Sequence, residues 1–319
     1  IISGNQSKEN PFTLQCFSDQ QDLQIPLFVT FLLIFLIIMI GNSTIFTTIT
    51  LIGQLHTPMY MFLGSLSLLD ISYTSTTLPK LLLMLCTQDK TISFAGCIIQ
   101  LYFFIGFTCT EFLLLSVMAY DRYVAICRPL HYTLVMSLKH CVRLIIVVWA
   151  AGFLDTAPFA LLIKNFTFCA SHHIEHFFCD FTPVLKITCS DTSTIELLTY
   201  MNGVFMAFSA FTLTSASYIV IICTVVTIQS SEGRKKAFST CASHLICVTV
   251  FYGTIICSYI RPVQSYTPKQ DTYLALLYTV LVPMLNPFIY TMKNKEFKDG
   301  FGKLRARIAL HLDRILNSL

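Results

Sequence analysis

Charged residues are scarce in this sequence, and their scarcity excludes a water-soluble globular protein. Asp, Glu, Lys and Arg make up 12% of the 319 residues, against about 25% in an ordinary soluble domain. Apolar residues make up 55% of the chain. The net charge of +4 is too small to indicate nucleic-acid binding.

Long polar stretches are also missing, which leaves no room for a sizeable separate soluble domain. Uncharged runs long enough to cross a bilayer, about 20 residues each, recur along the chain. The first run is too long for the core of a signal peptide, so we expect a retained helix. The predicted spans are 25–51, 58–79, 95–120, 141–163, 195–228, 237–260 and 272–292.

These runs predict an all-α membrane protein in which residues 25–292 form a seven-transmembrane helix bundle. Residues 1–24 precede the bundle. In residues 293–319, apolar and basic side chains alternate at helical spacing, which predicts a cytoplasmic amphipathic helix and tail after span seven. From His311 onward, a solvated or disordered tail is the alternative.

The distribution of Lys and Arg predicts the orientation. Seven of the 21 lie on the N-terminal side of the predicted spans, and the rest lie on the opposite side. The positive-inside rule therefore predicts a multi-pass plasma-membrane protein with an extracellular N-terminus. Asn5, in the sequon Asn5-Gln6-Ser7, is then a candidate for glycosylation, and Asn165 is a weaker one because it lies close to the membrane.

Four cysteines fall on the predicted outer side, where oxidising chemistry operates: Cys97, Cys169, Cys179 and Cys189. They allow two bridges in three pairings, which the sequence alone leaves open. The neighbouring His172, His173, Glu175 and His176 could indicate a metal site. We do not favour that interpretation, because disulfide-bonded cysteines cannot act as thiolate ligands.

Two carboxylates fall at one depth inside the predicted membrane. Asp70 lies twelve residues after Pro58, and Glu111 lies eleven residues before Arg122, which places them roughly 18 Å and 16 Å from the inner face. Neighbouring like charges there require a shared proton or a bound cation, and their hard oxygen ligands suit Na⁺. The alternative is a hydrogen-bonded cluster that sets helix packing.

Other polar residues in the spans suggest further roles. Asn42 and Asn286 fall in the same inner half as Asp70, so we expect a polar layer across the bundle. Pro283 and Pro287 interrupt span seven there and free carbonyls that polar neighbours must satisfy. Asp155 has no partner at its depth, which favours an outer-half packing or hydrogen-bonding role.

Arg122 follows Asp121 at the inner end of span three, flanked by Tyr120 and Tyr123. We interpret this pair as a switch in which the aspartate holds the arginine until another group replaces it. A simple surface salt bridge is the alternative.

Several motifs resemble one family over nearly the whole chain. They are LHTPMYMFLGSLSLLD (55–70), MAYDRYVAICRPLHY (118–132), HFFCD (176–180), SYIVIICTVVTIQSSEGRKKAFSTCASHL (217–245), FYGT (251–254) and PMLNPFIY (283–290). Together they resemble the rhodopsin-like G-protein-coupled receptors, and KAFSTCASHL resembles the tetrapod-type (class II) odorant receptors in particular.

The resemblance implies roles for individual residues. It implies disulfides between Cys97 and Cys179 and between Cys169 and Cys189, and a sodium-type site at Asp70 and Glu111. The residues that it implicates in G-protein coupling and switching are Asp121, Arg122, Tyr123, Tyr218, Lys235, Lys236, His244, Asn286, Pro287 and Tyr290.

Departures from other rhodopsin-like receptors narrow the ligand chemistry. Phe104 replaces the aspartate that holds amines, Val280 replaces the lysine of light receptors, and Tyr252 replaces the usual tryptophan toggle. Neither amine nor retinal chemistry is therefore expected.

We expect a ligand pocket in the outer half of the bundle. Helical periodicity counted from Arg122 and Tyr252 predicts its lining, which is mostly apolar. The candidates are Phe104, Ile105, Thr108, Cys109, Asn202, Phe205, Met206, Tyr252, Ile255, Ile256, Tyr259, Leu276 and Thr279. Such a lining suits a small neutral volatile that makes one or two hydrogen bonds. Arg261 at the pocket mouth is the cation that a carboxylate ligand would use.

The predicted function is therefore that of an odorant receptor, which binds a volatile and activates an olfactory-type stimulatory G protein to raise cyclic AMP. No enzymatic activity is expected, and no cofactor beyond a possible Na⁺ ion. The alternative is an ion-conducting or transporting seven-helix protein that uses Asp70 and Glu111, although the sequence shows no inverted repeat or ring of charges.

Overall fold

The computed structural model describes residues 11–15, 17, 21–168, 172–259, 268–291 and 295–316. Six long helices come first: α1 Gln21–Leu51, α2 Pro58–Thr87, α3 Phe94–Cys127, α4 Leu138–Ile163, α5 Ser193–Thr227 and α6 Ser231–Tyr259. Helix α7 follows and consists of Pro268–Leu276, a π-helical segment Leu277–Leu281 and Val282–Thr291. The amphipathic helix α8 is Lys295–Leu316. Shorter helices are Gly53–Leu55, Pro129–His131, Tyr132–Val135 and Phe181–Lys186.

The predicted seven-helix membrane bundle is confirmed. By length and composition, five helices of the described chain suit a membrane span: Asp22–Leu51, Phe94–Cys127, Leu138–Ile163, Ser193–Thr227 and Gln270–Ile289. The remaining two helices of the bundle are α2 and α6. Helix α2 buries Ser, Thr and Asp70 against the bundle, and the apolar stretch of α6 among the described residues is the shorter His244–Cys257.

Several helices are longer than the apolar runs that predicted them. Helix α2 continues through Pro79 to Thr87, although the predicted span ends at 79, and prolines are tolerated inside membrane helices. Helix α3 continues to Cys127, beyond the predicted residue 120. Helix α8 continues past His311 to Leu316, where the sequence also allowed a disordered tail.

Helix α3 is central and packs against α2, α4, α5 and α6. Two glycines bring α3 and α4 into close contact. A Cβ atom at Gly152 would lie 2.8 Å from the backbone N of Thr110, and one at Gly106 would lie 2.7 Å from the ring of Phe153. This crossing therefore requires glycine at both positions.

Helix α7 packs against α1, α2 and α6, and its regular hydrogen bonding changes just before Pro283. The π-helical segment 277–281 ends two residues before this proline. The carbonyl of Pro283 accepts a hydrogen bond of 3.1 Å from the Asn42 side chain of α1. The Asn42 side chain thus satisfies a backbone carbonyl in the irregular part of span seven, as the sequence predicted.

A small sheet covers the outer end of the bundle. Strand β1 (Phe12–Leu14) pairs antiparallel with β2 (Thr91–Ile92) and parallel with β3 (His173–Ile174). The disulfide between Cys97 and Cys179 joins α3 to the outer loop, which confirms the first implied bridge. Cys189 is also disulfide-bonded, whereas Cys169, Asn5 and Arg261 lie outside the described residues.

Candidate functional site

The outer loop before α5 places the rings of His176, Phe177 and Phe178 over the bundle, and we call this cluster the aromatic roof. Phe178, fully buried, places its ring 4.5 Å from that of Phe104 on α3. Gln100 fixes the loop, because its side chain accepts a hydrogen bond of 2.9 Å from the Cys179 backbone and donates one of 2.8 Å to the Thr76 carbonyl on α2. The roof therefore closes the bundle on the side where we expect the ligand.

His176 belongs to this roof and does not form a metal site in the described structure. Its ring lies 4.9 Å from Phe177 and 4.5 Å from Phe178. Burial lowers the pKa of His176 to about 3, and its Nε2 atom is buried without a hydrogen-bond partner among the described residues. His176 is thus a neutral aromatic component of the loop at physiological pH.

Most of the predicted pocket residues face the interior. Phe104, Thr108, Tyr252, Ile255 and Thr279 are buried. Ile105, Cys109, Asn202, Met206 and Leu276 are half-buried. Two of the hydroxyls already have partners: Thr108 is 3.3 Å from the Tyr73 hydroxyl, and Thr279 donates to the Ala275 carbonyl at 2.7 Å.

Two predicted lining residues lie on the outer surface instead. Phe205 is 70% exposed and Ile256 is 36% exposed. The inward face of α5 follows Met206, Ala210 and Thr214, and Phe205 is rotated about 100° away from Met206. The sequence offered no phase reference within α5, which explains the wrong prediction for Phe205. The side chain of Tyr259 lies outside the described part.

Tyr252, Phe112 and Ser116 form a hydrogen-bonded layer below the outer half of the bundle, and we call this layer the floor. The Tyr252 hydroxyl donates a hydrogen bond of 3.3 Å to the Phe112 carbonyl and lies 3.3 Å from the Ser116 hydroxyl. Ser116 also donates to the Ala210 carbonyl of α5 at 3.3 Å. Tyr252 therefore links α6 to α3, and through Ser116 to α5, at the position of the expected toggle.

A carboxyl group of α4 lies one turn above this floor. Asp155 Oδ2 accepts a hydrogen bond of 2.8 Å from the Asn202 side chain and one of 3.8 Å from the Cys109 thiol. Asp155 is thus a hydrogen-bonding residue of the outer half, one of the two roles that the sequence allowed. Its connection to two predicted lining residues was missed, because depth alone does not reveal which side chains of α3 and α5 meet α4.

The inner polar layer brings together the residues predicted for it. Asn286 donates a hydrogen bond of 2.9 Å to Asp70, and Glu111 lies on α3, which packs against the helix of Asp70. Both carboxyl groups are buried. Oxygen atoms of Glu111, Asn42 and Asn286 are buried without a hydrogen-bond partner among the described residues. These oxygen atoms are hard ligands, and they fit a monovalent cation such as Na⁺.

Arg122 is held by its neighbour at the inner end of α3. Its guanidinium forms an ion pair with Asp121, with Nε 3.0 Å from Oδ2. The other carboxylate oxygen accepts a hydrogen bond of 2.9 Å from the Tyr132 hydroxyl. Tyr132, which the sequence analysis did not single out, therefore completes the restraint on Arg122.

A second buried contact connects α5 and α6 near this site. The Tyr218 hydroxyl lies 2.5 Å from His244 Nδ1, and both residues are buried. Tyr123 is half-buried, and Lys235 is exposed at the inner end of α6. Pro287 is buried on α7, whereas the side chains of Lys236 and Tyr290 lie outside the described part.

Comparisons with known proteins agree with the motifs. A family model described as olfactory receptor matches residues 31–306. Olfactory receptor 6N1 of Homo sapiens is 44% identical over 308 residues, which cover 97% of this chain and 99% of that protein. Olfactory receptor 1G1 of Gorilla gorilla gorilla is 44% identical, covering 94% and 96% of the two chains. Olfactory receptor 5M5 of Mus musculus is 43% identical, covering 97% and 98%.

Proposed function

Because this chain belongs to the olfactory receptor family, we propose that it binds a small neutral volatile in the outer half of its helix bundle and activates an olfactory-type stimulatory G protein. Members of this family are odorant-sensing G-protein-coupled receptors, not enzymes. The expected output is a rise in cyclic AMP at the plasma membrane, with the N-terminus outside the cell.

The restrained Arg122 is the observation that carries this proposal. Its ion pair with Asp121, supported by Tyr132, holds the inner end of α3 in one arrangement. A ligand that binds a second arrangement of the receptor more tightly shifts the equilibrium toward it. The difference in its affinity for the two arrangements supplies the free energy of the change. Tyr252 is suited to transmit this preference because it links α6 to α3 below the outer half.

A Na⁺ ion is proposed for the inner polar layer. Asp70, Glu111, Asn42 and Asn286 supply the oxygen ligands, which lie on α1, α2, α3 and α7. The positive charge would compensate the two neighbouring carboxylates. A cation held between these helices stabilises the arrangement in which Arg122 remains paired.

The test is cyclic AMP accumulation in cells that co-express the chain and an olfactory-type stimulatory G protein. Neutral volatiles and carboxylic acids are applied, and an N-terminal epitope is labelled on unpermeabilised cells. We expect a response that Arg122→Ala abolishes without loss of surface labelling. A ligand response that survives Arg122→Ala contradicts the proposed switch, and conductance in cells without the G protein favours the ion-conducting alternative.

A further inference from the structure

The crossing of α3 and α4 places Asp155 beside the predicted pocket. Gly106 and Gly152 allow the two helices to touch. Cys109 and Asp155 each follow one of these glycines by three residues, so they lie about one helical turn farther along adjoining faces. The contact of the Cys109 thiol with Asp155 is the result.

Asn202 shows that Asp155 is directed toward the bundle. This amide lies on the same face of α5 as Met206 and Ala210, which are half-buried and buried. It donates to Asp155 across the gap between α5 and α4. The carboxyl group therefore lies between three helices, beside residues that the sequence predicts to line the ligand pocket.

One oxygen atom of Asp155 remains available. Oδ2 accepts the hydrogen bonds from both Asn202 and Cys109. Oδ1 accepts none from the described residues, and it is not among their fully buried, unsatisfied atoms. A half-buried carboxyl group thus presents an open acceptor to its surroundings.

The surroundings make this acceptor selective. Ile105 lies about one turn from Cys109 on α3, and Met206 lies about one turn from Asn202 on α5. Both side chains are apolar and half-buried. A ligand hydroxyl that donates a hydrogen bond to this acceptor gains affinity over a ligand that has no hydrogen to donate. A ligand carboxylate would instead place a second acidic group against Asp155, which is unfavourable.

We infer that Asp155 selects the ligand class: its Oδ1 atom accepts a hydrogen bond from a neutral ligand that carries a hydroxyl group, and its carboxyl group disfavours carboxylic acids. This inference rests on the proposed receptor function. Asn202 and Cys109 act as positioning residues, because they hold Oδ2 and thereby turn Oδ1 toward the ligand. Aliphatic and aromatic alcohols are the ligands of this class.

The experiment measures selectivity within each receptor variant. Straight-chain, cyclic and aromatic skeletons are each supplied as the alcohol, its methyl ether and the corresponding carboxylic acid. Cyclic AMP responses give the EC50 of each compound for the wild type, Asp155→Leu and Asp155→Asn. Asp191→Asn is the matched control, because it makes the same charge change at an exposed turn. The ratio of two EC50 values within one variant cancels differences in surface expression.

We expect the wild type to prefer alcohols over their ethers. Asp155→Leu should raise the EC50 of the alcohols by about tenfold, as for loss of one hydrogen bond, and leave that of the ethers little changed. Asp155→Asn should improve the response to the acids, and Asp191→Asn should change no ratio.

Two results overturn the inference. One is a wild-type preference for ethers or acids, and the other is an alcohol-to-ether ratio that Asp155→Leu leaves unchanged. In both cases an Arg122-dependent response to some compound preserves the proposed receptor function. If no compound of the panel gives an Arg122-dependent response, that result contradicts the receptor function and removes the basis of this inference as well.

Discussion

Gly152 of α4 lies directly against Thr110 of α3, with no space for a side chain between them. A Cβ atom at Gly152 would lie 2.8 Å from the Thr110 backbone N and even closer to its hydroxyl. This contact sets the distance between the two helices. Because Asp155 follows one turn later, it also sets the position of the carboxyl group beside the pocket.

Gly152→Ala is expected to destabilise the receptor. The methyl group meets backbone atoms that cannot move aside, and overpacking of this kind costs about 1–3 kcal/mol. Gly253→Ala on α6 is the control, because Gly253 is exposed and nothing lies within 4 Å of the position that the added methyl group would occupy. There the substitution should be neutral or stabilise the helix by about 0.5–1 kcal/mol. Thermal unfolding of the purified proteins checks both; equal melting temperatures would contradict the tight crossing.

Loss of the restraint on Arg122 is expected to raise signalling without ligand. Asp121→Asn removes the ion pair, and Tyr132→Phe removes the hydrogen bond that orients Asp121. We expect a several-fold rise in basal cyclic AMP for Asp121→Asn and a smaller rise for Tyr132→Phe. Tyr120→Phe serves as the control because Tyr120 is exposed. Unchanged basal activity in both variants, at equal surface expression, would show that the pair is only a local salt bridge.

Removal of Na⁺ is expected to raise basal signalling of the wild type. If the cation stabilises the arrangement with Arg122 paired, replacing sodium chloride by choline chloride at constant ionic strength shifts the equilibrium away from it. Asp70→Asn and Glu111→Gln should make the signal insensitive to this exchange. Asp191→Asn should retain the sensitivity. A sodium response that persists in both site variants would contradict the proposed cation site.

Acid is expected to weaken the aromatic roof through His176. The pKa of His176 is about 3 in the folded protein because burial disfavours its charged form, and 6.5 is the ordinary value. The unfolded chain therefore binds more protons between these values, so stability falls as the pH drops below about 6.5, by about 2 kcal/mol at pH 5.

His176→Phe is the variant that tests this pH dependence. It keeps a ring beside Phe177 and Phe178 and should lose part of the drop in melting temperature between neutral pH and about pH 5. His131→Gln, at an exposed position, should behave as the wild type does. Identical pH profiles for His176→Phe and the wild type would assign the acid sensitivity to other groups.

Local information was sufficient for the helices and for the inner polar layer. The apolar runs predicted all seven spans, since a bilayer requires length and hydrophobicity that are visible in the chain itself. Equal depth predicted one polar layer for Asp70 and Glu111, and the structure buries both on the adjoining helices α2 and α3. The prediction for Phe205 was wrong, because the rotation of α5 depends on its neighbours and not on its own composition.

The sequence by itself determined the membrane class, the orientation signal, the family motifs and the residues that carry charge in the bundle, because each of these depends on composition or on spacing along one helix. Only the tertiary structure decided that Asp155 meets Asn202 and Cys109, that Tyr132 supports Asp121, and that Phe178 covers Phe104. Those contacts join different helices and loops, and close approach at residues such as Gly152 decides which side chains meet.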